Sequence, residues 1–340
     1  MTDMMQRWEI PSFGLHTLHL ARVPRPVAKA GEVLVRVAAV SLNYRDAEVA
    51  ENGMGASVQF PFTPASDMTG TVMAVGEGVQ RFSVGDQVLS SFFAGWVDGQ
   101  PLSWTEAPPQ GGPIPGMLAE YVATPAEWCV LAPRSLSAAQ ASTLPVAGLT
   151  AWMALVELGH LHAGQTVVVQ GTGGVSLFAV QLAAVHGARV IITSSSDDKI
   201  ARAVGLGATH GIHRGRVPDW HTSVLELTGG RGAEHVLEMA GGDNLARSLQ
   251  AVANGGRISV IGLLESDQLS APLMSLLAKR ASIVGVAVGP RRALEDLIRM
   301  VDRHTLAPVI DHTYRFTEVP QAFTHLKRGA FGKVVIEVSP

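Results

Sequence analysis

The chain has 340 residues, of which 36 are Gly and one is Cys, with 47% hydrophobic and 16% charged residues and a formal charge of −3. That length supports two domains with proper cores. The near-neutral charge and the lack of a basic run exclude nucleic acid or an anionic membrane as the main partner. The single Cys129 excludes an intrachain disulfide and a multi-cysteine zinc lobe, and reads as a small buried hydrophobe.

The start, Met1 to Glu9, is mixed and polar without a signal-peptide pattern, and no apolar run reaches about 18 residues. A cytoplasmic protein is expected. Short strands broken by Gly and Pro follow, at Leu15 to Val23, Glu32 to Val40, Thr69 to Val75, Gln87 to Ser91 and Leu118 to Ala123, which predicts a mostly-β domain. Residues 95–116 form a long Gly-, Pro- and Trp-rich loop, whose Trp96 and Trp104 either line a substrate entrance or pack on the barrel.

From Ser137 the texture changes. Ser137-Ala-Ala-Gln140 opens a helix with a capping box, and Leu144 to Leu161 is helical in tendency despite Pro145. The strand Thr166–Gln170 then runs into Gly171-Thr172-Gly173-Gly174-Val175-Ser176 and a helix ending at Gly187. Strand, glycine turn and helix in that order form a dinucleotide fingerprint. Gly171 permits the tight turn, Gly173 lets backbone approach a pyrophosphate, and the amides of Gly174 and Val175 open the helix toward it. The third position of the pattern is Ser176, small but not Gly. Strands at Arg189 to Thr193, Thr209 to Ile212, His235 to Met239, Arg257 to Ile261 and Ser282 to Val288 alternate with helices, so a parallel doubly wound sheet is expected. A helix at Arg292 to Arg303 and a strand at Lys333 to Val338 return to the first texture, and the tail is expected to rejoin the N-terminal domain.

Ser41-Leu-Asn-Tyr-Arg-Asp46, Phe62-Thr-Pro-Ala-Ser-Asp67, Arg81-Phe-Ser-Val-Gly-Asp-Gln-Val88, the glycine turn, Gly255-Gly-Arg-Ile-Ser-Val-Ile-Gly262 and Phe331-Gly-Lys-Val-Val335 occur in this order along nearly the whole chain. Together they resemble the medium-chain dehydrogenase/reductase superfamily, on its zinc-independent, quinone oxidoreductase-like side. The resemblance implies an α/β protein with a GroES-like substrate domain (1–128, completed by 291–340) and a Rossmann cofactor domain (129–290). Where zinc alcohol dehydrogenases of that superfamily carry metal ligands, this sequence has Asn43-Tyr44, Ala65-Ser66-Asp67 and Pro145-Val146, so no zinc is expected. His160, His162, His210, His213 and His221 read as surface or capping residues.

The end of the second cofactor-domain strand reads Thr193-Ser194-Ser195-Ser196, without the carboxylate that receives a ribose 2′-hydroxyl. Ser194, Ser195, Ser196 and Lys199 therefore favour NADP(H) over NAD(H). Asp197 and Asp198 fall where carboxylates cap a helix. The resemblance adds Arg214, or His213 beside it, as a 2′-phosphate contact, with a solvated loop as the alternative. It also carries over Thr150, Gly241, Ile261, Gly262 and Lys333 as cofactor neighbours, Lys333 otherwise being a solvated edge charge. Without a metal, charge on a substrate oxygen needs hydrogen-bond donors. Asn43 and Tyr44 match the segment that approaches the nicotinamide; Tyr44 can donate a hydrogen bond or a proton, and Asp46 is expected to fix the loop.

The expected function is NADPH-dependent reduction of a quinone or α,β-unsaturated carbonyl. The alternatives are a zinc-free alcohol or aldehyde reductase and an NADPH-binding protein without turnover. A homodimer is expected, through the family and through Ser282 to Val288 as an apolar sheet edge.

Overall fold

The computed structural model describes residues 3–304 and 306–338. The chain divides into two compact units, Met1–Leu149 with Val288–Pro340, and Thr150–Ala287. The stretches 129–149 and 288–290, expected within the cofactor domain, fall in the first unit.

In the second unit, six strands pair in the order His210–His213, Arg189–Ser194, Thr166–Gln170, Ala233–Glu238, Val252–Val260 and Ser282–Gly285, all parallel. Counted along the chain this is 3-2-1-4-5-6, the Rossmann order, which reverses direction between the first and fourth strands. The apolar run Val167-Val168-Val169 lies at that centre with no exposed surface, because helices cover both faces of a parallel sheet. Removing each such side chain from water contributes about 1.5–3 kcal/mol. The helix Gly174–Val185 is buried along most of its length, as its nearly all-apolar sequence requires.

The first unit centres on the eleven-residue strand Glu32–Leu42, which pairs with Asp67–Val75, Tyr121–Pro125 and Lys333–Glu337. Val33, Val35, Val37 and Val40 on it are fully buried. The tail strand matches Val334 to Leu42 and Val335 to Ser41, bringing Lys333 beside the end of the central strand. Elements not anticipated include the strand Met4–Glu9, which pairs with His19–Pro24, the strand Ile310–Arg315 and the helix Val319–Arg328. Pro145 is accommodated because Leu144–Gly148 is wound as a π-helical turn, with wider hydrogen-bond spacing than an α-helix.

Candidate active site

In the second unit the glycine turn sits at the carboxyl end of the first strand of the sheet. Gly171 has φ +74°, a left-handed conformation that a side chain would strain, and a Cβ placed on Gly171 or Gly173 would meet nothing within 4 Å. Gly173 is the residue before the helix Gly174–Val185 and supplies no side-chain cap, so the amides of the first turn are left for a ligand. Open space over the turn together with uncapped amides fits a pyrophosphate. Ser176 donates its hydroxyl to Gln170 O at 2.8 Å, which locks the helix start to the strand end. Thr172 is buried, and so is Thr150 in the helical segment Leu149–Trp152.

At the end of the second strand, Ser194 Oγ accepts from Ser196 N at 3.3 Å, and Ser194 O accepts from Arg214 N at 2.9 Å. Ser196 caps the helix Asp197–Gly205 by accepting from Lys199 N, while Ser195 is exposed. Asp197 and Asp198 occupy the first helical turn as expected, and Arg216 holds Asp197 by two bonds of 2.7 and 2.5 Å. The Arg214 guanidinium pairs with Glu265 at 3.1 Å on the surface. On the other side of the turn, Gly241 donates to Glu238 Oε1, and Ile261 and Gly262 donate to Glu238 O. Glu238 was not singled out by the sequence reading. Its signal was a carboxylate ending the apolar run His235-Val-Leu-Glu238.

In the first unit Asn43, Asp46 and Lys333 meet in one buried cluster. Lys333 donates to Leu42 O at 2.7 Å and to Asn43 Oδ1 at 2.5 Å. Asn43 Nδ2 donates to Asp67 Oδ2 at 2.9 Å and to Ser66 Oγ at 3.2 Å, and Ser66 donates to Asp46 Oδ1 at 2.8 Å. Asp46 also accepts from Asn43 N at 2.8 Å, fixing the start of the helix Tyr44–Asn52. Lys333 is 4% exposed and is thus not a solvated edge charge. Burial pushes the Asp67 carboxyl up, against the pull of Lys333 and the Asn43 hydrogen bond; burial likewise lowers Lys333. Tyr44, by contrast, is 45% exposed. Partial burial and then the Glu48 carboxylate raise its phenol above the ordinary value, so it stays protonated at neutral pH.

Arg45 donates to the carbonyls of Gln110, Gly111 and Gly112, tying this helix to the long loop. Trp96 is buried against Phe93, whereas Trp104 is 60% exposed and lines a cavity of about 260 Å³ with Arg45, Val49, Met54 and Pro109. Of the two, Trp96 is a packing residue and Trp104 faces the cavity.

Among the described residues no three His, Cys, Asp or Glu side chains converge in a way that could hold a metal ion. At the expected ligand segments the donors are an amide, a hydroxyl and Asp67, with the Lys333 ammonium bonded to that amide. This set does not fit zinc, which takes three Cys, His or carboxylate ligands. Cys129 is buried in the sheet, and burial pushes its thiol up to about 12, far from the thiolate a metal needs. No helix among the described residues is long and apolar enough to cross a membrane.

Residues 29–134 match the alcohol dehydrogenase GroES-like domain, and residues 174–303 match the zinc-binding dehydrogenase family. The chain is 36% identical to the zinc-type alcohol dehydrogenase-like protein C1773.06c of Schizosaccharomyces pombe, covering 91% of each chain. It is 26% identical to the quinone oxidoreductase of Homo sapiens, covering 92% of this chain and 90% of that one. Among solved structures, a candidate alcohol dehydrogenase of Sinorhizobium meliloti 1021 superposes with a TM-score of 0.95 at 56% identity, over 99% of this chain and all of that one. An NAD-dependent alcohol dehydrogenase gives 0.90 at 32% identity, over 98% and 100%. A GroES-like unit, a Rossmann unit and relatives matched over nearly their whole length make one assignment: the chain is an oxidoreductase and belongs to the medium-chain dehydrogenase/reductase superfamily.

Proposed function

We propose that this oxidoreductase is a zinc-independent, NADPH-dependent reductase of quinones or α,β-unsaturated carbonyls. The observation that carries the reading is the buried Lys333–Asn43–Asp67 cluster at the expected metal segments, which leaves Tyr44 exposed at the start of its helix. The bound dinucleotide supplies a hydride. Gly171, Gly173 and the amides of Gly174 and Val175 would hold its pyrophosphate, while Ser194, Ser195, Ser196, Lys199 and Arg214 would receive the 2′-phosphate. Thr150, Gly241, Ile261 and Gly262 would border it. Lys333 was expected at the cofactor, but its bonds to Leu42 O and Asn43 support a role in holding the Asn43-Tyr44 segment. Hydride addition leaves an electron pair on the substrate oxygen, and Tyr44 stabilises that charge by donating its hydroxyl hydrogen bond; the proton comes from Tyr44 or water. An apolar substrate would suit the cavity that Trp104 lines with Val49, Met54 and Pro109.

The alcohol dehydrogenase names among the relatives favour a second reading, an alcohol or aldehyde reductase, which the residues at the metal segments would make zinc-free. One experiment separates them: oxidation of NADPH and NADH with quinones, enones and aldehydes, before and after dialysis against a chelator. The proposal expects turnover with quinones or enones, at least as fast after dialysis, and tighter binding of NADPH than NADH by fluorescence titration. Ser194→Asp should move the preference toward NADH by charge repulsion with the 2′-phosphate. Loss of turnover with removal of stoichiometric zinc, or equal affinity for both dinucleotides, overturns the corresponding part.

We further propose a homodimer. Ser282–Gly285 is the end strand of its sheet, and Leu263, Leu264, Leu273, Met274 and Leu277 on the same unit are exposed. Light scattering at micromolar concentration should give twice the chain mass of 35.8 kDa; a monomer refutes it.

A further inference from the structure

The geometry points to Glu238 as a positioning residue that holds three dinucleotide-facing loops of the second unit in one arrangement. This rests on the dinucleotide reading of that unit. Glu238 ends the fourth strand, next to Gln170 at the end of the first, where the strand order of the sheet reverses and ligands of such folds bind. The residue has no exposed surface, so an ionised carboxylate here must be satisfied from within. Five donor groups do so. Gln170 Nε2 reaches Oε2 at 3.1 Å and Ser248 Oγ reaches it at 2.5 Å, while Asn244 Nδ2 lies 2.9 Å from both oxygens. Ala240 N and Gly241 N donate to Oε1 at 3.0 and 3.2 Å.

The amide of Gln170 is oriented unambiguously, because its Oε1 accepts from Met239 N and its Nε2 faces the carboxylate. Meanwhile the Glu238 backbone oxygen accepts from Ile261 N at 2.9 Å and Gly262 N at 3.2 Å. One residue thus gathers the strand end before the glycine turn, the loop 239–242 and the segment 261–262. The loop is tightly fitted: Gly241 has φ +77°, and a Cβ there would stand 2.2 Å from Ser266 O. Every group facing the carboxylate is a donor, except that the Ser248 hydroxyl can turn. An isosteric amide would therefore set its own NH₂ against donors. Shape alone does not meet the requirement; two accepting oxygens do.

The test is Glu238→Gln, read by NADPH and NADH affinity in fluorescence titration and by amide hydrogen exchange of the protein without dinucleotide. We expect dinucleotide affinity to fall by roughly ten- to a hundred-fold, the scale of lost hydrogen bonds to a charged group. Exchange at Ala240 and Gly241 should accelerate by a similar factor. Moving the charge back in Glu238→Gln/Asn244→Asp should recover part of both effects, which general loosening would not do. If Glu238→Gln does not fold, Ser248→Ala removes one donor and should act in the same direction at about two- to five-fold. Wild-type affinity with wild-type exchange in Glu238→Gln overturns the proposal. Failure of the wild-type protein to bind either dinucleotide overturns the reading it rests on.

Discussion

Turnover falls by roughly ten- to a thousand-fold when Tyr44 is replaced by Phe, the range set by one lost oxyanion donor or general acid. The substitution deletes a single hydroxyl from a half-exposed ring at the first position of the helix Tyr44–Asn52, so helix and cluster remain in place. Neighbouring polar groups cannot readily substitute. The Asn43 amide is used at both ends, by Lys333 on its oxygen and by Asp67 and Ser66 on its nitrogen. Asp46 is fully buried and spent on Asn43 N and Ser66. Dinucleotide affinity should be unchanged, because the glycine turn belongs to the other unit. Steady-state rates with the best quinone or enone, together with a dinucleotide titration, check this. Unchanged turnover would assign the donor to bound water and make Tyr44 a packing residue; a parallel loss of affinity would make it a cofactor contact.

The parts of this site that could be read from the sequence are those that local chain chemistry dictates. A strand buried on both faces must be apolar throughout, so Thr166–Gln170 and the glycine turn after it stand out, and serines at a strand end are visible as the lack of a carboxylate. The strand Met4–Glu9 escaped because its six residues show no alternation: Met5, Arg7 and Glu9 share one face of the ribbon, and Trp8 and Glu9 are buried side by side in sequence. The strand Ile310–Arg315 carries Asp311, His312 and Arg315, which depress its apolar signal. Pro320 in the first turn of Val319–Arg328 is a start signal legible in the sequence.

The cluster in the first unit was only half legible for a different reason. Asn43 and Asp46 are three residues apart, and local spacing shows their coupling. Ser66 and Asp67 arrive from a neighbouring strand, and Lys333 from 290 residues away through the pairing of the last strand with the central one. A lysine at a strand start ordinarily stays in water, so nothing local marks this one as buried. Glu238 is similar: its donors Gln170 and Ser248 lie on other elements, and only the strand order places them around it.

Replacing Lys333 with Met should destabilise the first unit by about 3–5 kcal/mol, the cost of leaving buried charge without its partner. At about 2–4 °C per kcal/mol for a unit of this size, the first melting transition drops by roughly 6–20 °C. The stem volume is kept, so the change acts through charge: Asp46 and Asp67, both without exposed surface, lose the ammonium that offsets them. The sign of the pH dependence follows from Asp67. Burial pushes its carboxyl from 3.8 up to about 7, and a carboxyl raised in the folded state costs stability as pH climbs through that window. Without Lys333 the folded value rises further, so the deficit of the variant is larger at pH 8 than at pH 5, where protonated Asp67 needs no counter-charge. Lys333→Met/Asp67→Asn should recover much of the loss at pH 8, because it removes the orphaned charge together with its partner. Calorimetric scans of the three proteins at both pH values decide it. Melting within about 1 °C of wild type at pH 8 would mean that Lys333 compensates nothing. A stable variant with weakened dinucleotide binding would return Lys333 to the cofactor.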